Sequence, residues 1–522
     1  MFIVLRKGFC YNKGMKFYFY GHQYKYAAEQ MLLTLFPGER PEYPEGKPGG
    51  RRMELRLSRA ERYSTASCLY HDGTRAFHGR AAVRTELLEA ADAVRTDSIC
   101  QKIVKLAIYR AVLRSGREKP VWGTLTGVRP GKLMSLLLNA GLTEQEALSR
   151  FEREYEVSHE RALLCLDASG ATLKADAMLR PEDVCLYIGI PFCPTRCAYC
   201  SFVSQSVEKS MALIPPFLDA LKQEIRAVAE QVRKTGLRII SVYMGGGTPT
   251  TLSAGQLDDL LLTLEGEFDL SGLREFTVEA GRPDTITPEK LETLRRHGVD
   301  RVSVNPQTLS DRVLEVIGRR HSAEDIRKSL RMVREAGGFS VNMDLIAGLP
   351  TDTAESFRKT LDEVLALRPE NITVHTLSIK RGARLQFGEE SLPDDREVAA
   401  MLDYANARLR GEGYAPYYLY RQKNMSGGFE NVGWTVVGKE NLYNICIMEE
   451  LCTILAAGAG GSTKLVRRDG GRNERIMAPK YPAEYIGTIE RTCENKEKIS
   501  GYYMNRKGES SDVGLQRGAA EL

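Results

Sequence analysis

At 522 residues the chain exceeds one ordinary domain, and 43% hydrophobic with 27% charged residues suits a globular protein with a sizeable core. The 73 basic residues nearly balance the 68 acidic ones, and a net charge of +5 is too mild for a general nucleic-acid binder. Eleven cysteines, an odd number scattered over a long chain, argue against a disulfide-framed secreted domain and for a reduced, cytoplasmic protein.

The opening Met1-Phe-Ile-Val-Leu5 is too short for the apolar region of a secretory leader. Residues 16–20 read as a strand, 24–36 as a helix and 37–50 as a Pro/Gly-rich loop. Residues 53–57 alternate like a second strand, and Asp72-Gly73 marks a turn into the next extended run. Residues 85–113 carry a helical pattern, and helical segments continue through residues 161–165. The first 180 residues are thus expected to form an α+β and helical domain without a catalytic motif.

A buried strand, Val184-Cys-Leu-Tyr-Ile188, then runs into Cys193-Pro-Thr-Arg-Cys197-Ala-Tyr-Cys200. Thiolates in this C-x3-C-x2-C frame can bind three irons of a [4Fe–4S] cluster and leave the fourth iron open for chemistry. Reduced thiols, or a zinc site short of a ligand, would fit the same spacing. Further strands are expected at 238–243, 276–279, 301–304, 340–344 and 372–377, with helices between them. Thr287-Pro288 starts one of those helices as N-cap and first residue, and Gly298 stops it. Six such units predict an α/β fold, a partial (β/α)6 TIM-type barrel over 181–380 that works at the carboxyl ends of its strands. Every candidate group follows a strand. Gly245, Gly246, Gly247 and Thr248 let the backbone approach a ligand, and Glu279, Gln307, Arg319, Asp344 and Ile346 come after them in order. Each charged group alone is more often solvated or structural; in sequence, at strand ends, they make a site.

Residues 381–495 are expected to form a C-terminal domain, and 496–522 a flexible polar tail. Glu449 and Glu450 interrupt the apolar stretch 445–457, so no membrane span is expected. Gly458-Ala-Gly-Gly461 lacks the following Lys-Ser/Thr of a phosphate loop and reads as packing or barrel closure. Lys380, Arg381, Arg384, Arg421 and Lys423 are candidates for binding anionic substrate groups, or a solvated basic face.

The cysteine loop with the glycine triplet resembles the radical S-adenosylmethionine (SAM) superfamily. That resemblance implies a cluster on Cys193, Cys197 and Cys200 whose open iron chelates SAM. Reductive cleavage of SAM then yields a 5′-deoxyadenosyl radical that takes hydrogen from unactivated carbon. It further implies Tyr199 and Ile346 near the adenine, and Gly245 to Thr248 with Glu279 at the amino group. Arg319 would meet the carboxylate, Gln307 the ribose or carboxylate, and Asp344 the ribose hydroxyls.

Leu186-Tyr-Ile-Gly-Ile-Pro-Phe-Cys193, Val304-Asn-Pro-Gln-Thr308 and Asp344-Leu-Ile-Ala-Gly-Leu-Pro350 resemble more closely the oxygen-independent coproporphyrinogen III oxidase family. The segment Trp122 to Pro130, with Tyr420 to Met425 and Phe429 to Gly433, is similar to its HemZ branch. The family implies oxidative decarboxylation of two propionates to vinyl groups on the way to heme. It also implies a C-terminal domain on the substrate side, Tyr187 near the cofactors, and a reductant protein such as flavodoxin or ferredoxin. Two departures stand out: Phe202 replaces a cysteine and Gly189 a histidine of the best-known oxidases. Phe202 matches the related heme chaperones, but their C-terminal histidine has no counterpart, since the last histidine is His375. A heme carrier and a radical SAM methyltransferase that opens heme are the alternative functions.

Overall fold

The computed structural model describes residues 14–127, 129–200, 205–206, 210–378, 392–422, 428–468 and 473–509. Phe202, Lys380, Arg381, Arg384 and Lys423 lie outside the described residues. Two compact units emerge: one holds the described residues of Met1–Val128, Leu142–Leu163 and Gly427–Phe429, the other those of Arg129–Gly141, Leu164–Ser426 and Glu430–Leu522.

The first unit holds the strands β1 (Gly14–Tyr20), β2 (Arg40–Glu42), β3 (Arg52–Arg59), β4 (Tyr63–His71) and β5 (Ala76–Arg84), in the spatial order β2-β1-β3-β4-β5. Alternate residues along β4 are buried, as a sheet with one covered face requires. That face packs Phe17, Met53 and Leu55 with Ile103, Val104 and Ile108 of the helix Ala93–Leu113. Each such side chain contributes about 1.5–3 kcal/mol by leaving water. Asp72 accepts the backbone N–H groups of Thr74 and Arg75 in the β4–β5 turn, as its Asp-Gly sequence predicts. The helical pattern expected over 85–113 is two helices, Thr85–Glu89 and Ala93–Leu113. Asp92 breaks the run because its side chain accepts the Arg95 N–H and starts the second helix as an N-cap.

The second unit is an α/β barrel that stays open, the partial TIM-type architecture expected. Its strands are β6 (Asp183–Ile190), β7 (Phe192–Cys193), β8 (Gln205–Ser206), β9 (Arg238–Gly246), β10 (Glu275–Glu279), β11 (Arg301–Ser303), β12 (Ser340–Ala347) and β13 (Asn371–Thr376), then β14 (Ala415–Arg421), β15 (Glu430–Thr435), β16 (Thr453–Gly458), β17 (Ser462–Leu465) and β18 (Glu474–Met477). The order β14-β15-β13-β12-β11-β10-β9-β6-β16-β17-β18 runs in one sheet, while β7 and β8 pair by themselves. The six expected strands, β6 and β9–β13, are parallel neighbours. Val184, Leu186 and Ile188 on β6 are wholly buried, which explains their continuous apolar run. The Thr287 side chain accepts the Lys290 N–H at the helix Pro288–Arg296, the start that its Thr-Pro sequence predicts.

The segment beyond residue 381 supplies strands to both sides of this sheet, so no separate sheet marks a C-terminal domain among the described residues. On one side β15 and β14 pair antiparallel beyond β13; on the other, β16 joins β6 as a seventh parallel strand. The turn after β16 explains its glycines. Gly458 has φ +107°, and a Cβ there would lie 2.2 Å from the Gly189 carbonyl oxygen. The tail expected to be flexible from 496 is helical over Glu497–Glu509. Ile499 is buried, and the Lys496 ammonium pairs with Glu224 at 2.7 Å and donates to the Ala456 carbonyl at 2.8 Å, which anchors the segment. No helix among the described residues is long and apolar enough to cross a membrane.

Candidate active site

The carboxyl ends of the parallel strands converge on a cavity of about 590 Å³. Thirteen of the fourteen candidate residues line it: Tyr187, Cys193, Cys197, Tyr199, Cys200, Gly246, Gly247, Thr248, Glu279, Gln307, Arg319, Asp344 and Ile346. Gly245 is the remaining one. It sits on β9 beside Glu279, and a Cβ there would come within 2.9 Å of that carboxyl carbon.

The cysteine loop hangs from β6 and is fixed by its neighbours. The Thr248 hydroxyl donates to Cys193 Sγ at 3.5 Å, and the Ala198 N–H to the Ile317 carbonyl at 3.0 Å. Sequence reasoning missed Arg282, which follows β10. Its guanidinium is 3% exposed and donates to Cys197 Sγ at 3.4 Å and to Thr195 Oγ1 at 2.8 Å. The motif Gly281-Arg-Pro just past a strand end was the available signal. The loop 245–248 is pinned against β6 and β7: the Gly247 N–H donates to the Ile190 carbonyl and the Thr248 N–H to that of Phe192, both at 2.7 Å. A Cβ on Gly247 would approach the Phe192 carbonyl to 2.5 Å, so the cradle needs glycine there.

Two carboxylates of the cavity are tuned in opposite directions. Burial pushes Glu279 up to about 7, and nearby Asp344 adds to this, against hydrogen bonds from the Tyr243 hydroxyl at 2.6 Å and the Gly246 N–H. Burial also opposes ionisation of Asp344, but His375 at 3.8 Å and the Asn342 amide at 2.8 Å hold its carboxyl below the usual range. Asn342 and His375 belong to β12 and β13, and neither was singled out as a site residue.

Arg319 is the cation of the set. Burial disfavours its charge, yet Tyr199 and Cys197 keep the guanidinium firmly protonated. One nitrogen donates to the Asn305 carbonyl at 2.5 Å and another to the Tyr199 hydroxyl at 3.3 Å, while the buried Nε has no hydrogen-bond partner among the described residues. His321, two residues on, is neutral: burial, then Arg319 and Arg282, push it down to about 3. Tyr199 packs with Ile346, Leu314 and Leu377, an apolar slot suited to a flat ring. Gln307 takes the left-handed backbone, φ +66°, and exchanges backbone bonds with Asp344 and Ile346 at 2.9 and 3.0 Å. Strain of this kind gathers at ligand sites. Arg421 is elsewhere, buried beside Glu430 and outside the lining, so neither candidate role for it applies to its position.

These residues fit an iron–sulfur cluster and SAM. Three cysteines on one braced loop, a glycine cradle that excludes side chains, and an orphaned guanidinium nitrogen provide thiolates, backbone contacts and a carboxylate partner. A second wall of the cavity is aromatic: Tyr187, Tyr243 and Tyr443 stack, with Tyr243 and Tyr443 centred 4.4 Å apart, and Tyr418 and Tyr420 line it from β14.

Comparison with known proteins agrees with this geometry. The family model of the Radical SAM superfamily matches residues 187–364. The oxygen-independent coproporphyrinogen-III oxidase-like protein HemZ of Bacillus subtilis is 39% identical over 382 residues, 72% of this chain and 76% of that protein. The heme chaperone HemW of the same organism is 34% identical over 240 residues, 44% of this chain and 61% of the relative. Among solved structures, coproporphyrinogen III oxidase (HemN) from Escherichia coli, a radical SAM enzyme, matches with a TM-score of 0.50 and 25% identity over 62% of this chain and 73% of that one. The cysteine loop, the strand-end set around it and the extended likeness to HemZ converge: the chain belongs to the radical SAM family of oxygen-independent coproporphyrinogen-III oxidase-like proteins, with a [4Fe–4S] cluster and SAM as its cofactors.

Proposed function

We propose that the protein is an oxidoreductase that decarboxylates coproporphyrinogen III to protoporphyrinogen IX without oxygen. The observation that carries this reading is the double lining of one cavity, with SAM-type residues and a tyrosine wall facing the same space. Flat aromatic faces suit a tetrapyrrole ring. Each propionate would give up a β-hydrogen atom to the 5′-deoxyadenosyl radical and then lose carbon dioxide and pass one electron to an external one-electron acceptor, which leaves a vinyl group.

Bound at Cys193, Cys197 and Cys200, the reduced cluster with SAM supplies one-electron cleavage and hydrogen-atom abstraction. The chain's own residues do the positioning. Arg319 faces a carboxylate with its free Nε, and Glu279 accepts from an amino group. Asp344, kept ionised, accepts from hydroxyls, and Tyr199 with Ile346 holds a ring. Tyr187 belongs to the stacked aromatic wall and lines the same cavity as this set. A small reductant protein, such as a flavodoxin or ferredoxin, is the proposed electron source.

The test is anaerobic incubation of reconstituted protein with reductant, SAM and coproporphyrinogen III, read by mass spectrometry. Stepwise loss of two carboxyl groups with formation of 5′-deoxyadenosine supports the proposal. Deoxyadenosine without decarboxylation refutes it and directs the search to a methylated or opened heme. Tight heme binding with neither product favours a carrier, the reading that the similarity to a heme chaperone supports.

A further inference from the structure

A second group of thiols lies apart from the cysteine motif. Cys185 on β6, Cys446 on the helix Leu442–Glu449 and Cys452 just before β16 are all buried, and their sulfurs lie within 4.8 Å of one another. Cys185 Sγ and Cys452 Sγ are 3.7 Å apart. Thiolates sharing one zinc ion stand about 3.8 Å apart, as tetrahedral geometry with a Zn–S length of about 2.3 Å requires. A cubane cluster binds its thiolates through different irons and spreads them farther. The Cys185–Cys452 pair therefore has the spacing of two thiolates on one ion, and Cys446 is close enough to both to share it.

Its place in the fold is specific. Cys185 pairs in register with Ile454 on β16 and with Ser241 on β9, at the junction where the seventh parallel strand joins the barrel. Cys446 and Cys452 bracket a short link, closed by the Leu451 N–H donating to the Cys446 carbonyl at 3.2 Å. The trio packs against Tyr443, Tyr187 and Tyr243, the stacked rings that line the cavity. Glu275 faces Cys446, while Asp183 and Arg468 oppose one another at Cys452.

We propose that Cys185, Cys446 and Cys452 form a second metal site, which takes a single thiophilic d10 cation with zinc as its natural class. Soft thiolates select such ions over oxygen-loving ones, and a divalent ion leaves less residual charge in this apolar surround than a monovalent ion. The ion would clamp β6, the helix Leu442–Glu449 and β16 together and so hold the tyrosine wall in place. It is independent of the cluster and of the substrate assigned above.

The test is metal analysis of the full-length protein, offered Zn2+ anaerobically, desalted over chelator and measured by plasma mass spectrometry. About one zinc per chain is expected, retained in Cys197→Ala, which loses cluster iron, and lost in Cys446→Ser and Cys452→Ser. Cobalt supplies a readout that needs no variant: the Co2+-loaded wild type should show intense near-ultraviolet thiolate-to-metal charge transfer. Zinc below about a tenth of an equivalent in the wild type would overturn the site. So would zinc retained in both serine variants, a cobalt spectrum without thiolate bands, or a Cys185–Cys452 disulfide found in protein alkylated without reduction.

Discussion

The Glu279 carboxyl offers the sharpest quantitative handle on the cofactor site. With its protonation midpoint at about 7, this group is mostly neutral at pH 6 and mostly ionised at pH 8. The sign follows directly. The shift is upward, so the protonated form persists to unusually high pH, and any interaction that needs the carboxylate strengthens as pH rises through 7. The ionised fraction climbs from about one-eleventh at pH 6 to about ten-elevenths at pH 8, a roughly tenfold gain in affinity for an amino group. A ligand amino group titrates in the same range and adds its own slope, so the comparison must be made against Glu279→Gln. That variant keeps the size and a hydrogen bond to Tyr243 but has no charge to gain. At pH 8 it forfeits a charge-assisted hydrogen bond, about 1.5–3 kcal/mol, or about 10- to 100-fold in affinity. Anaerobic calorimetry of SAM binding to reconstituted protein between pH 6 and 8 measures both effects. If Glu279→Gln binds like wild type at pH 8, or shows the same slope with pH, the assignment of this carboxylate fails.

Arg319→Ala should weaken SAM binding about 10- to 100-fold by removing a charged partner, with iron content unchanged; wild-type affinity in the same calorimetry refutes its role. Arg282→Met removes the N–H that points at Cys197 Sγ together with its positive charge, so the cluster midpoint should become more negative. An EPR-monitored redox titration checks this, and an unmoved midpoint would reduce Arg282 to a loop brace. Gly458→Ala forces a Cβ onto the Gly189 carbonyl at a left-handed backbone angle, which should cost at least about 1–3 kcal/mol of stability. Chemical denaturation reads the loss, and an unchanged midpoint would show that β16 does not need its close seat on β6.

Legibility followed the range of the interactions. The six strands of the barrel could be read because each is a short apolar run bounded by Gly, Pro or a helix cap, signals confined to a dozen residues. The site residues could be read for the same reason: the fold delivers whatever follows a parallel strand to one end of the barrel. The seventh parallel strand could not. Thr453–Gly458 holds two alanines and a glycine among its six residues, continues an apolar stretch that begins in a helix, and pairs with a strand more than 260 residues earlier. The division of the helical run at Asp92 turned on one capping side chain, which also serves as an ordinary helix-surface residue elsewhere. The thiol trio was hidden by separation, because Cys185 and Cys446 carry no common spacing and meet only when β16 docks. Arg282 obeyed the strand-end rule and was overlooked because it lies three residues past a more conspicuous carboxylate.

The opposite behaviour of Glu279 and Asp344 shows what sequence position alone does not determine. Both are acidic, both end or lie in a parallel strand, and both face one cavity. Their neighbours separate them. Asp344 accepts from the Asn342 amide on β12, and His375 and Thr373 on β13 stand beside it and favour its charge. Glu279 is buried, accepts from the Tyr243 hydroxyl and the Gly246 N–H, and sits within the field of Asp344; burial and that field outweigh the two donors, so its proton stays longer. A carboxylate that is always ionised suits neutral hydroxyl partners, which need an acceptor at any pH. A carboxyl poised near 7 suits a partner that brings its own positive charge or sheds a proton on binding, because the site then carries little uncompensated charge when empty. In the proposed reading β12 thus prepares one wall for a ribose and β10, on the other side of β11, prepares another for an amino group, and the division of labour resides in the neighbouring side chains rather than in the carboxylates themselves.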